Sequence, residues 1–420
     1  MKKNIIKKLF LLLFLLPAAP ALYAQVSDMQ SDEQPGYESD IIKYGTSKIN
    51  ACRDFDFRFC DLSAEDLSVF DENATLQNMD FDDKTIWPQG DKMPKWLNPQ
   101  EIMEAGKTPG LNIKQLHAKG ITGKGVGIAI IDSSLPKHAE YQGKLVLYKN
   151  YGANPRELMH GAAVASIAVG ETVGVAPGAD LYYFAAEVGD WINVIYKILA
   201  FNKTLPADKK ISVISLSYGF ANNKEEISEA VKEAEKQNIA IFHTSNSAYI
   251  LSRDNYMADS NNIAFYNTRP YWWSVQDAQE LYADNLCVPA GFRIIASPTG
   301  YEDYVAYGGS GSMSWAVPYY AGIYALAKQA YPALDRKTFE KAARATAHGK
   351  KIKDDETGEE IEVKYFINPT ALIEHFQKMA QQKEQQKKEK KNKKIKAVKS
   401  NNDKNAAQDG MRNQINNFTY

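Results

Sequence analysis

Apolar and polar residues come in blocks along this chain, and the blocks differ in period. Between 106 and 377, short runs with almost no polar residue recur: Gly125-Val126-Gly127-Ile128-Ala129-Ile130-Ile131, then residues 179–184, 213–216 and 239–242. Stretches with helical spacing separate them, one opening at His160. Such alternation predicts βαβ units, hence an α/β fold with a mostly parallel sheet and helices on both faces; continuous apolar strands fit burial on both sides. Residues 25–105 are acidic and aromatic and hold a period of five: Cys52, Phe57, Leu62 and Leu67, then after one slip Leu76, Phe81 and Ile86. Neither a helix nor a simple strand has that period. From Lys378 to Lys404 eleven lysines stand against Glu384, Glu389 and Asp403 with almost no apolar residues, so residues 378–420 are expected to form a basic disordered tail.

The first 24 residues read as a secretory signal. Lys2, Lys3, Lys7 and Lys8 precede the apolar run 9–16, then come Pro17 and the small-residue stretch ending Ala21-Leu22-Tyr23-Ala24, with cleavage expected after Ala24. Eight continuous apolar residues fall far short of the roughly 20 that span a bilayer. The expected location is secreted or periplasmic. Across the chain, 44% hydrophobic and 24% charged residues exclude wholesale disorder, a collagenous fibre and a multi-pass membrane protein. Fifty basic against 51 acidic residues give no net pull toward nucleic acid, but the charge is segregated into an acidic front and a basic tail. That tail is a candidate contact for an anionic envelope surface. Cys52, Cys60 and Cys287 are too few for a disulfide scaffold and allow one bridge at most.

The segments Phe55-Asp56-Phe57-Arg58, Cys60-Asp61-Leu62-Ser63-Ala64 and Glu65-Asp66-Leu67-Ser68 resemble pentapeptide-repeat proteins. The resemblance implies a small right-handed β-helix over 51–88 with the central Leu or Phe pointing inward, flanked by an acidic linker at 25–50 and a connector at 89–109. Roughly seven units make a coil too small to stand alone.

Chemistry concentrates in three later segments. The apolar strand runs directly into Asp132-Ser133-Ser134, which puts a carboxylate at the C-terminal end of a parallel strand, where such sheets place their ligands. His160 heads a helix of small residues, Gly161-Ala162-Ala163-Val164-Ala165-Ser166. A Ser/Gly-rich turn, Ser310-Gly311-Ser312-Met313-Ser314, enters a helix with Pro318 near its start. Together with Gly120-Ile121-Thr122-Gly123-Lys124-Gly125, Gly174-Val175-Ala176-Pro177 and Ser215-Leu216-Ser217-Tyr218-Gly219, these segments resemble the subtilisin-like serine peptidases from about 110 to 377. Asp, His, Ser is that family's chain order, whereas unrelated triad folds use other orders.

The resemblance implies a serine endopeptidase. Ser314 would be the nucleophile, His160 the base and Asp132 its orienting partner. Asn246 would be the oxyanion donor beside the Ser314 N–H, the edge Ser217, Tyr218, Gly219 would bind an extended peptide, and His243, Thr244, Ser245 would line the first specificity pocket. No cofactor is implied. Two registers compete at the nucleophile: Ser-Met favours Ser312, while Ser-x-x-x-Pro followed by Ala321-Gly322 favours Ser314, which is the preferred choice. Trp315 and Ser245 replace smaller family residues, Ala162 and Ala163 replace the usual Thr and His, and only three residues separate Gly170 from Gly174, where many relatives carry a calcium loop. A polar or narrowed pocket is expected, and that particular calcium site is not. Two other readings stay open: a non-catalytic peptide-binding protein, and a peptidase gated by the repeat module.

Overall fold

The structure, a computed structural model, describes residues 29–37, 55–220, 223–308, 312–354 and 357–416. The signal segment, Cys52 and most of the acidic linker lie outside the described residues. What is described of the linker lies along the chain that follows Asp132. The Asp32 N–H donates to Tyr148 O (2.7 Å), its carboxylate pairs with Lys149 (2.7 Å), and buried Gln34 donates to Leu135 O and Pro136 O.

The five-residue period is realised in part. Phe57, Leu62, Leu67, Leu76 and Phe81 are buried, and a turn closes after each of the first three through Cys60 N–H to Phe57 O, Glu65 N–H to Leu62 O and Phe70 N–H to Leu67 O. Among the described residues the expected β-helix does not form. Helix α1 (Glu72–Asn78), capped by Asp71, interrupts the run, and one pass stacks on the next through the isolated parallel bridges of Asp56 with Asp80 and Asp61 with Ile86 and the Leu67 N–H bond to Lys92 O. Ile86, expected inside, is 54% exposed. The segment instead adds strand β1 (Phe81–Asp82) to a three-stranded sheet, and helix α2 (Pro99–Gly106) seals the cluster with Ile102 and Met103.

The centre is a five-stranded parallel sheet of β2 (Gly127–Asp132), β3 (Leu145–Tyr151), β4 (Asp180–Ala186), β5 (Ile211–Leu216) and β6 (Ala240–His243), in the order β3-β4-β2-β5-β6. Along β2 the side chains alternate between two cores: Ile128 and Ile130 face one, Ala129 and Ile131 the other. Successive side chains of a strand point to opposite faces, so a strand buried on both sides reads as an unbroken apolar run. The first face is covered by α3 (Met159–Val169), the second by α4 (Trp191–Thr204) and α5 (Lys224–Glu235).

Beyond it, β7 (Tyr249–Leu251) and β8 (Leu286–Pro289) enter a four-stranded sheet, while β9 (Arg293–Ala296) and β10 (Tyr304–Tyr307) pair with β1. Helix α6 (Ser312–Ala330) packs on the first face beside α3, and α7 (Arg336–Ala345) follows. The hairpin β11 (His348–Lys353) and β12 (Glu360–Phe366) completes the four-stranded sheet.

The tail departs from expectation. One helix, α8 (Pro369–Asn416), runs from the packed domain through the lysine-rich stretch. Leu372, Ile373 and Phe376 bury its first turns, and the Lys, Gln, Glu and Ala that follow have high helix propensity. Composition correctly excluded a core there; it did not exclude a helix nucleated by docked turns, because nucleation is the costly step and it has been met by tertiary packing. Among the described residues no helix is long and apolar enough to cross a membrane.

Candidate active site

Asp132 ends β2 at the centre of the parallel sheet, 2% exposed. His160 stands in the first turn of α3, in front of it. Its Nδ1 lies 2.6 Å from Asp132 Oδ1, the same oxygen that accepts the Ser133 N–H at 2.8 Å. Asp132 Oδ2 is buried without a hydrogen-bond partner. Burial works against protonating His160, but the adjacent Asp132 charge and its hydrogen bond outweigh it, and the imidazole pKa rises above its ordinary 6.5. The ring is a stronger base than a free histidine, with Nδ1 held by the carboxylate and 36% of the side chain exposed.

Small residues make this juxtaposition possible. A Cβ on Gly161 would lie 2.5 Å from the Tyr183 hydroxyl, which itself donates to Ser133 O (2.8 Å). Helix α3 can therefore bring His160 against the strand end only with glycine after it. On its other flank α3 and the connection after it meet α6 at Gly322, where a Cβ would stand 2.6 Å from Val175 Cβ and 3.3 Å from Ala168 O. That close crossing positions the helix carrying Ser314.

Ser314 lies in the first turn of α6, half-buried, and its backbone oxygen accepts a 2.9 Å bond from Ser217 Oγ at the end of β5. The next residue, Trp315, lays its ring 5.5 Å from the His160 ring. No hydrogen bond joins Ser314 to His160. Ser312, the competing register, begins the helix with φ +53°. Ser310 lies outside the described residues.

Asn246 sits in the turn after β6. Its Oδ1 accepts the His243 N–H at 2.8 Å and its Nδ2 faces Ile241 O at 3.3 Å. The amide is thus engaged with its own turn, though Nδ2 carries a second N–H. The expected peptide edge is also partly engaged: the Tyr218 N–H donates to Leu216 O and its carbonyl accepts from Thr244 N–H. Ser217 is buried, Tyr218 and Ser245 are exposed, and Gly219 and Thr244 lie between, with Thr244 Oγ1 3.0 Å from where a Gly219 Cβ would be. Past β6, His243, Ser245 and Asn246 border a cavity of about 620 Å³ whose other walls include Phe220, Ile227 and Arg336. His243 packs edge-on against Phe220, and burial together with Arg336 pushes its pKa down to about 4, so this histidine is neutral at physiological pH.

Phe220 and Arg336 were not singled out from sequence. Phe220 directly follows Gly219 and was within reach; Arg336 approaches from 90 residues beyond Asn246, which no local spacing reveals. Where many relatives carry a calcium loop, the short Gly170–Gly174 connection closes on a protein group. Buried Glu140 accepts from Thr172 N–H (2.9 Å), the Thr172 hydroxyl and the Tyr304 hydroxyl (2.7 Å). Cys60 and Cys287 are buried, and among the described residues no group of three or more His, Cys, Asp or Glu could hold a metal ion.

Residues 123–284 match the Peptidase_S8 model, described as the Subtilase family. Over these residues the chain is similar to the subtilase family. The match takes in Asp132, His160 and Asn246 and ends before Ser314. A curated relative of this chain is the major intracellular serine protease of Bacillus subtilis (strain 168), 25% identical over 164 residues, 35% of this chain and 51% of that protein. The chain thus spans about half the length of that relative. Among solved structures, the PatG macrocyclase in complex with peptide aligns with TM-score 0.44 at 17% identity, covering 63% of this chain and 95% of that one. The prenylagaramide maturation protease PagA aligns with TM-score 0.45 at 16% identity, covering 63% and 98%.

Proposed function

We propose that this chain is an exported serine endopeptidase acting on polypeptides through an acyl-enzyme. The observation that carries the reading is the 2.6 Å Asp132–His160 pair at the C-terminal end of the central parallel strand, inside the family match, with the Ser314 helix packed on the same imidazole. In this reading His160 Nε2 takes the Ser314 Oγ proton as the oxygen adds to the scissile carbonyl. Asp132 stabilises the imidazolium that forms, and the proton then passes to the leaving amine. The Ser314 N–H and the second Asn246 Nδ2 N–H donate to the oxyanion. Water attacks the ester in the reverse sense. The cavity bordered by Ser245 and Asn246 receives a substrate side chain, and the signal-like leader directs export.

The unmade Ser314–His160 hydrogen bond and the engaged Asn246 amide favour one other reading, a peptide-binding protein without turnover. Catalytic hydrogen bonds often tighten only when substrate binds, so the geometry is compatible with activity. Labelling with a fluorophosphonate probe, beside Ser314→Ala and Ser312→Ala, separates the two. Labelling lost only in Ser314→Ala supports the triad; labelling that follows Ser312 moves the nucleophile; an unlabelled native protein leaves the binding reading standing.

A further inference from the structure

We propose that the N-terminal module is a built-in buttress of the catalytic centre, with Arg58 and Asp80 as positioning residues that grip Tyr307-Gly308 and thereby hold the nucleophile segment against His160. The inference rests on the peptidase reading and adds residues to it that touch neither substrate nor reacting atoms.

Two lines of contact run from the module to the centre. The first is a chain of rings. Arg58, fixed by a two-pronged pair with Asp56 (2.8 and 2.7 Å), lies over the Tyr307 ring with its guanidinium carbon 5.3 Å from the centroid. Tyr307 meets Trp315 edge-on at 5.7 Å, and Trp315 backs His160 at 5.5 Å. The second is backbone. Strand β1 pairs antiparallel with β10, Phe81 opposite Ala306 and Asp82 opposite Val305. Just past that pairing Asp80 Oδ1 accepts the Gly308 N–H at 2.6 Å, and the Tyr256 hydroxyl donates to Met79 O. Gly308 precedes Ser314 by six positions. Its missing side chain matters here, because a Cβ would stand 2.7 Å from Met79 O.

A bond from an amide to a carboxylate is stronger than a neutral one, and a cation over a ring adds a second, independently oriented hold. The grip thus sits at the last described residues before the nucleophile helix and supports the face of Trp315 that backs the base. The consequence differs from that of a removable inhibitor, since loosening this contact lowers the rate of the chemical step and leaves peptide affinity in place.

The test uses the full chain with Asp80→Ala, Asp80→Asn and Arg58→Ala, read by peptide turnover and by hydrogen exchange through residues 304–316. Asp80→Ala is expected to speed exchange at Gly308 and lower kcat by roughly 10- to 100-fold with KM little changed. Asp80→Asn, which keeps an acceptor oxygen, is expected to restore most of both. Arg58→Ala should lower kcat alone while Gly308 exchange stays slow. Unchanged exchange and unchanged kcat in Asp80→Ala would overturn the inference, as would a variant in which KM carries the whole effect. Should the wild type turn over no peptide and take no fluorophosphonate, the peptidase reading fails on its own, and exchange at Gly308 still decides whether the module holds this segment.

Discussion

At the scale of single residues the centre is a set of protonation and hydrogen-bond states. His160 must be neutral to act as a base. Burial alone would lower its pKa, but the Asp132 charge and bond raise it above 6.5, so the fraction of active base grows as pH climbs through a limb placed above 6.5. The pH profile of kcat/KM for a neutral peptide is expected to show that limb; a midpoint at or below 6.5 would contradict the pairing. In Asp132→Asn the two raising effects vanish while burial stays, so the limb should drop below 6.5 and kcat should fall by about 10⁴-fold. Asn246 poses a different question, because its amide is engaged at 2.8 and 3.3 Å within its own turn. If its second N–H serves the oxyanion, Asn246→Ala lowers kcat by about 10²- to 10³-fold with KM nearly unchanged, the size of effect known for one such donor in subtilisin. A loss confined to thermal stability would instead assign Asn246 to the turn alone. His243 moves stability in the opposite sense to His160. Its folded pKa is depressed to about 4, so stability present above 6.5 is lost as pH falls from 6.5 toward 4, amounting to roughly 3 kcal/mol at the acid end.

At the scale of elements the decisive contacts are helix crossings that tolerate no side chain. Helix α6 meets the connection after α3 at Gly322, with Val175 Cβ 2.6 Å from any added Cβ and Ala168 O at 3.3 Å. Gly322→Ala forces two buried elements apart, and overpacking of this kind costs about 1–3 kcal/mol. The expected result is a lower denaturation midpoint together with a lower kcat, since α6 bears Ser314; an unaltered midpoint would show that the crossing relaxes freely. These elements were legible in sequence where chemistry and burial coincide along one stretch of chain. The run ending at Asp132, the small-residue helix opening at His160 and the Ser-x-x-x-Pro turn each betray themselves locally, and they form one end of the sheet. The Tyr218 edge was legible as a strand end, but not the Thr244 N–H that occupies its carbonyl, because that bond joins two turns 26 residues apart. The five-residue period correctly marked Phe57, Leu62 and Leu67 as buried; it could not report that α1 breaks the coil or that Ile86 faces outward, since both depend on the partner the segment packs against.

For the whole molecule the question is whether the N-terminal module is a separable regulator or part of the body that carries Asp132 and His160. Its buried cluster is shared: Phe57, Leu62, Leu67, Leu76 and Phe81 pack with Val173, Tyr256, Phe292, Ile294, Tyr304 and Ala306 of the later chain. A gating domain would be expected to meet its target through a more polar, separable interface, whereas this contact is a continuous apolar core with a strand pairing across it. Expressing residues 106–377 alone would strip that cover from six buried side chains and leave β10 as an open edge, and open edges beside apolar surface invite aggregation. The fragment is therefore expected to be insoluble or to unfold well below the full chain, with less turnover per molecule. Higher turnover from a stably folded 106–377 fragment would restore the gating reading and remove the buttress. Truncation at the other end should behave differently, because α8 buries Leu372, Ile373 and Phe376 in its first turns, while residues 381–395 are exposed and reach the body through Lys383 on Tyr331. A chain ending at Ala380 is expected to keep the midpoint and the turnover of the full protein while losing any salt-sensitive retention on anionic vesicles, a difference that electrostatic binding by exposed lysines requires.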